Sequence, residues 1–302
     1  MKKLLLTYIL TIGICAGAGI GTGIILKKTI GPIDEMYPPG FDPTEFSPDI
    51  EAIMKKYDGL SNKTYDGAKG FTDAELVNVA QEKYKRCENC YNFSVGDAHT
   101  IVTQAVRNAQ VKNGNEYFMD QISLSSMVSL AKRTYQHGAD GNVEVHDGKA
   151  LTSETATYPA TPTATYTPEE YHKVHGMSPN EMFIYIISDQ TVLDSTRTTN
   201  GDDVVIKMNL NPNLSTYWYK YQMVDLSGLA NLPPFSEVKL TYTLSKDLVL
   251  KHISVDETLT ATKDGIPVPA KTQDILELYY YADTYYKIPA LDEPFDFSIK
   301  EA

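Results

Sequence analysis

The chain carries three cysteines, six histidines and 39 acidic residues from which nucleophiles, metal ligands or acid–base pairs could be drawn. Two of the cysteines form Cys87-Glu88-Asn89-Cys90. A C-x-x-C pair does thioredoxin-type redox work in a βαβ setting, whereas here a helical pattern leads into alternating strands. A structural zinc needs a second ligand pair at a usable spacing, which the neighbourhood lacks. Cys87 and Cys90 therefore read as a candidate local disulfide or as two free thiols. His172 and His175 stand three apart on a predicted helix without the glutamate of a zincin motif, so they read as exposed helix histidines. Asp202-Asp203 and Asp256-Glu257 are acidic pairs of the type a glycosidase uses, but they fall in a predicted turn and on a solvated strand face. Nucleophile-elbow, phosphate-loop and dinucleotide fingerprints are missing from the sequence. These residues point away from an enzyme and assign no catalytic residue, metal or cofactor.

Tyrosine is more informative. The chain has 21, with runs at Tyr217-Trp218-Tyr219-Lys220-Tyr221, Tyr279-Tyr280-Tyr281 and Tyr285-Tyr286. An apolar ring with a polar tip suits interfaces, sugar-binding surfaces and wet-edged cavities. It suits the half-buried positions of ordinary strands equally well.

The elements that must position these residues begin with an export segment. Between Lys3 and Lys27 lie 23 residues without a charge, flanked by Lys2-Lys3 and Lys27-Lys28. At ~1.5 Å rise per residue, roughly 20 residues cross a bilayer core. The same stretch supports three fates. It reads as a retained anchor, as a signal cut at Ala16-Gly17-Ala18, or as a lipoprotein signal with Cys15 lipidated. Ile14 stands where the last of these normally has a small residue. Residues 1–28 are thus assigned to a signal or transmembrane anchor in a cell membrane, single-pass, with the C-terminal part extracytoplasmic.

Residues 29–71 read as an extended tether with a short helix. The tether carries Pro38-Pro39-Gly40 and Asp42-Pro43, and the helix starts at Ser47-Pro48 and stops near Gly59. Residues 72–302 form the ectodomain. Thr72 and Glu75 make a capping box for a helix ending near Cys87. Strands are predicted where apolar and polar residues alternate: 122–130, 204–210, 238–244 and the long run 248–262. Lys112-Asn113-Gly114-Asn115 and Ser245-Lys246-Asp247 signal hairpins. Thr167-Pro168-Glu169-Glu170 opens a helix ending at Gly176, and Asn211-Pro212-Asn213 precedes another over about 214–227. The Thr-, Ala- and Pro-rich residues 152–167 read as a mobile loop.

The fold class expected is α+β: a strongly curled antiparallel β-sheet, or half-barrel, with helices on its concave side, preceded by the transmembrane or signal helix. The net charge is −12, and without the four N-terminal lysines 23 basic residues face 39 acidic ones, leaving −16. Such a surface repels phosphate backbones, which argues against nucleic acid as a partner.

Several of these features occur together in one order. They are the export segment, the capped helix, Gln104-Ala105-Val106 ahead of Lys112-Asn113-Gly114, and a Trp/Tyr helix ending in Ser227-Gly228-Leu229. The closing pair lies around Leu240-Thr241-Tyr242-Thr243 and Ile253-Ser254-Val255. Over about 72–300 this resembles cell-surface proteins of clostridial type. More distantly it is similar to the half-barrel lipoproteins of the lipoprotein-carrier and mycobacterial lipid-carrier superfamily. The resemblance implies a curled sheet whose concave face holds acyl chains. Some germination-associated relatives bind a partner enzyme instead.

With the long strands and amphipathic helix inserts, the expectation is a membrane-anchored binding protein holding a lipid or other apolar ligand. Its cavity candidates are Trp218, Tyr221, Val238, Leu240, Tyr242, Ile253 and Val255. The alternative is an interaction module for an envelope protein.

Overall fold

The computed structural model describes residues 41–100, 102–126, 129–175, 178–220, 232–263, 266–281 and 286–295. Cys15, Tyr221 and the export segment lie outside them. Among the described residues, no helix is long and apolar enough to cross a membrane.

Alternating sequence makes strands, and short turns make meanders. The first meander comprises β1 (Asn89–His99), β2 (Thr103–Asn113), β3 (Glu116–Leu124), β4 (Ser129–His137) and β5 (Val143–Ala150). The short β6 (Ala156–Thr157) and β7 (Ala164–Tyr166) both pair with β5. The second comprises β8 (Val192–Asn200), β9 (Asp203–Leu210), β10 (Phe235–Ser245), β11 (Leu250–Lys263) and β12 (Ile266–Tyr281). Pairing of β1 with β12 fuses them into one antiparallel sheet, ordered β6-β5-β4-β3-β2-β1-β12-β11-β10-β9-β8 with β7 beside β5. A sheet this wide has to curl. An extra residue in β12, opposite Val95–Asp97 of β1 and Val255–Glu257 of β11, makes a bulge that adds a local bend. At this bulge a Cβ on Gly96 would sit 2.5 Å from Ile275 Cγ1, so only glycine allows the strands this close.

The described residues include the helices α1 (Ile50–Asp58), α2 (Asp73–Lys85), α3 (Pro168–His175) and the single turn α4 (Pro212–Ser215), with a further helical stretch over 217–220. The capping box of α2 is formed. Thr72 Oγ1 accepts from the Glu75 amide at 3.1 Å, and Glu75 Oε2 accepts from the Thr72 amide at 2.8 Å. Asp73 in the first turn pairs with Arg197 of β8 at 2.5 Å, which fixes the helix against that edge of the sheet. Leu76, Val77, Val79, Ala80 and Tyr84 then bury against Ile206, Leu240, Tyr242, Ile253 and Val255. Full burial of each large apolar side chain contributes about 1.5–3 kcal/mol.

Side chains of the opposite parity point to the other face. There Phe93, Val111, Phe118, Ile122 and Tyr135 form a second core, closed by Phe295 and the 286–295 segment. Buried Arg133 holds that segment, donating to the carbonyls of Ala290, Leu291 and Glu293 at 2.9–3.1 Å while pairing with Asp120 at 2.5 Å. The tyrosine triplet obeys the same period. Tyr279 and Tyr281 meet Tyr84 edge-on at 5.0 and 5.2 Å, and Tyr280 stacks on Tyr91 at 4.8 Å from the far side.

Several local expectations are corrected. The first helix is capped by Asp49, whose side chain accepts from Ala52 N at 2.9 Å; Ser47 closes the preceding 3-10 turn Pro43–Phe46. Residues 50–71 are part of the main core rather than the tether, through Met54, Tyr57, Ala68 and Phe71. The tether's last residues also dock, with Phe41 stacked on Tyr217 at 5.6 Å. The alternation across 122–130 belongs to two strands, since β3 ends at Leu124 and β4 begins at Ser129. Residues 152–167 are pinned by strands β6 and β7, and by the Tyr158 hydroxyl donating to Asp120. The helix expected over about 214–227 starts earlier, at Pro212, and is broken at Thr216 before helix resumes over 217–220; residues 221–231 lie outside the described residues.

Candidate functional site

The five described strand positions among the cavity candidates, Val238, Leu240, Tyr242, Ile253 and Val255, all lie on one face and are 1–3% exposed. They pack against α2, Phe183 and Ile187 in a continuous core. Trp218 does not join them. It sits in a small separate cluster with Phe41, Phe46, Ile186 and Tyr217. Those five residues therefore act as core.

Along the same face the core gives way to a polar group that the sequence reading had placed in solvent. Glu257 is 1% exposed. Its two oxygens accept from the Tyr185 hydroxyl and from Thr272 Oγ1, the latter at 3.0 Å, and the Tyr219 hydroxyl bonds it too. Burial pushes its carboxyl from the ordinary 4.5 up to about 7, against the pull of these donors. Half-buried Glu277 lies on the same face, opposite Ile253, and accepts from the Tyr279 hydroxyl at 2.7 Å. Burial raises its carboxyl as well. Gln81 of α2 donates to the Tyr242 hydroxyl at 3.0 Å and completes the group from the helix side.

Position follows from the strands. The period that turns Ile253, Val255 and Leu259 inward passes through 257, and the one that turns Ile275 and Tyr279 inward passes through 277. That alternation was available in the sequence, and Asp256, its half-buried acidic neighbour, masked it. Tyr185 comes from the loop before β8, which is tied down by Asn78 Nδ2 donating to Ile187 O at 2.8 Å. Tyr185 and Tyr219 are half-buried with ring centroids 5.5 Å apart, and Tyr219 lies 5.5 Å from Phe235. The arrangement combines two carboxyls, four tyrosine hydroxyls and flanking apolar surface. It can hydrogen-bond the polar end of a ligand and exchange a proton near neutral pH.

Cys87 and Cys90 are free thiols rather than a disulfide. Cys87 follows the end of α2 and bonds Lys83 O, while Cys90 is buried on β1. Burial pushes the Cys90 thiol up to about 11 and raises that of Cys87, so little reactive thiolate forms at neutral pH. His172 is exposed as expected, but His175 is buried against Tyr171 at 4.1 Å. Among the described residues no three His, Cys, Asp or Glu side chains gather as metal ligands.

Comparison with known proteins leaves the reading to these residues. No protein-family profile and no curated protein matches the chain. Among solved structures, that of Rv2717c from M. tuberculosis overlaps 69% of this chain and 98% of its own, at 6% identity and a TM-score of 0.16. An inactive mutant of the CurJ dehydratase, in complex with a compound, overlaps 69% and 80%, at 10% identity and a TM-score of 0.12. Neither places the chain in the family its sequence resembles.

Proposed function

We propose that the chain is a non-enzymatic, extracytoplasmic binding protein, anchored in a cell membrane by residues 4–26. In this reading the sheet is a half-barrel with α1 and α2 on its concave side. Its ligand is a lipid or other apolar molecule with a polar end. One observation carries the reading: two carboxyls and several tyrosine hydroxyls converge on an otherwise apolar sheet face. An apolar wall with a few convergent polar groups and shifted carboxyls is the usual make-up of a small-molecule site. The apolar part of the ligand lies outside the packed region of Leu240 and Val255, toward Tyr185, Tyr219 and Phe235. Native mass spectrometry of the full chain tests this. A co-purified lipid, lost in Tyr185→Phe/Glu257→Gln, is expected; a ligand-free chain from native membranes would overturn it.

A specific feature favours a second reading, a module that docks an envelope protein. Among the described residues strand β8 ends the sheet and pairs with β9 alone, and its Leu193 is 64% exposed. An open edge accepts an added strand. Crosslinking from envelope extracts that captures one partner through β8, abolished by Thr196→Pro, is the expected result for that reading.

A further inference from the structure

Antiparallel strands send alternate turns to opposite ends of the sheet. The turns β1–β2, β3–β4, β5–β6 and β11–β12 lie at one end, and β2–β3, β4–β5, β8–β9 and β10–β11 lie at the other. Pairing through β10 puts Leu210 of β9 and Val192 of β8 at the first end too. The second end is polar, with Asn115, Asp140, Asp202, Lys246 and Asp247 in its turns.

The first end holds apolar side chains out. Leu151 is 59% exposed and Leu193 64%, the two highest values among the described large apolar residues; Val174 and Tyr281 follow at 41% and 37%. Leu151 sits in a built turn, where its amide donates to Thr155 O at 2.8 Å and Thr152 Oγ1 accepts from the amides of Glu154 and Thr155 at 3.1 and 3.0 Å. Leu193 is the extra residue of a bulge, since Val192 pairs with Leu210 and Asp194 with Asn209. Bulges re-aim side chains.

Between these two edges the β11–β12 hairpin overhangs the sheet. Its last four pairs, from Thr260–Pro269 to Lys263–Ile266, lie past the last β1–β12 pair, His99–Lys271. Among the described residues the β10 side reaches them only through Pro234 O, which accepts from Thr260 N at 3.0 Å. Pro267 and Pro269 are exposed there and have no amide to offer an added strand. A two-stranded ribbon is marginal by itself in water, so the overhang offers side chains to a surface.

One exposed leucine is ordinary. Apolar points at both edges of the sheet and between them fit a broad, flat partner, and the chain's own path says which. Residues 1–40 join the described part at this end: Phe41 stacks on Tyr217 just beyond α4, and Ser188 Oγ, just ahead of β8, donates to Phe46 O at 2.7 Å. The 14 residues from Lys27 to Gly40 reach no further than about 50 Å at ~3.3–3.6 Å each.

We propose that this end of the sheet rests on the bilayer surface, with Leu151, Leu193, Pro267 and Pro269 at the headgroup boundary. The inference rests on residues 4–26 lying in that bilayer, as proposed above, and adds a second contact that orients the domain. A net charge of −12 draws nothing from anionic headgroups, so the contact is apolar and suits net-neutral phospholipid. Phe235 begins β10 at the same end, so the apolar part of the proposed ligand faces the membrane that supplies it.

Tryptophan quenching tests this with the full chain in phosphatidylcholine nanodiscs whose acyl chains carry bromine. Leu151→Trp, Leu193→Trp and Pro267→Trp are each read in a Trp218→Phe background; the difference from the wild type gives the same readout if that background fails to fold. All three should lose most of their emission, unchanged by added salt. Asp140→Trp, at the second end, should keep its emission and controls for the affinity of tryptophan itself for interfaces. A chain held in the discs with no quenching at the first end, or with equal quenching at both ends, overturns the proposal and leaves the anchor standing. A chain that does not stay with the discs overturns the anchor and this contact together. Protection of the Leu151→Trp and Leu193→Trp rings from acrylamide without bromine quenching assigns the end to a second copy of the chain and overturns the bilayer contact.

Discussion

At the scale of single residues, Glu257 and Arg133 make opposite use of buried charge. Glu257 titrates at about 7 when folded, against an ordinary 4.5. The folded state therefore holds the proton more tightly than the unfolded chain. Its contribution to stability is complete below about pH 4.5 and is lost as pH rises through about 7, a change of about 3 kcal/mol. Urea unfolding across pH 4–8 should show this decline in the wild type and a flatter profile in Glu257→Gln. Arg133 is paired instead, with Asp120 and three carbonyls of the terminal segment. Arg133→Met strands the Asp120 charge and should cost about 3–5 kcal/mol in denaturant melts. Arg133→Met/Asp120→Leu should recover part of that loss, because no unpaired charge remains buried.

At the scale of elements, caps and bulges decide where the site's walls begin. Thr72→Ala removes one half of the α2 capping box and should lower stability by about 1 kcal/mol without moving the strands. Gly96→Val should cost more, since its side chain meets Ile275 where the paired strand β12 is bulged. Thermal unfolding ranks the two, and a smaller effect at Gly96 would contradict the close approach. The hairpin turns were legible because their chemistry is local. Gly114 adopts φ 58° at the predicted Asn-Gly turn, and Ser245-Lys246-Asp247 joins β10 to β11. The break between β3 and β4 was not legible, because Leu124 and Leu130 continue one alternation across the turn.

At the scale of the molecule, one long-range pairing and one terminal segment turn two meanders into a body. The β1–β12 ladder joins residues nearly the whole ectodomain apart. The 286–295 segment then seals the aromatic face with Phe295, which stacks on Phe118 at 5.5 Å. Phe295→Ala should cost about 3 kcal/mol and raise binding of an apolar dye, because it uncovers Phe93 and Phe118 together. A variant with wild-type stability and no dye binding would mean the segment is not a structural lid.

The sequence by itself determined the strand periods, the tight turns, the capped helices and the acidic, tyrosine-rich character, since each depends on residues a few positions apart. It did not determine which inward residues meet. Val238, Leu240, Tyr242, Ile253 and Val255 were rightly read as one face, but only packing against α2 shows that face filled there. The same alternation carried Glu257 and Glu277 inward, yet their joint site exists because the bulged strand β12 and a loop more than 70 residues upstream of Glu257 bring Tyr185, Thr272 and Tyr279 to them. Contacts of that kind depend on register and curvature across the sheet, which no local pattern encodes.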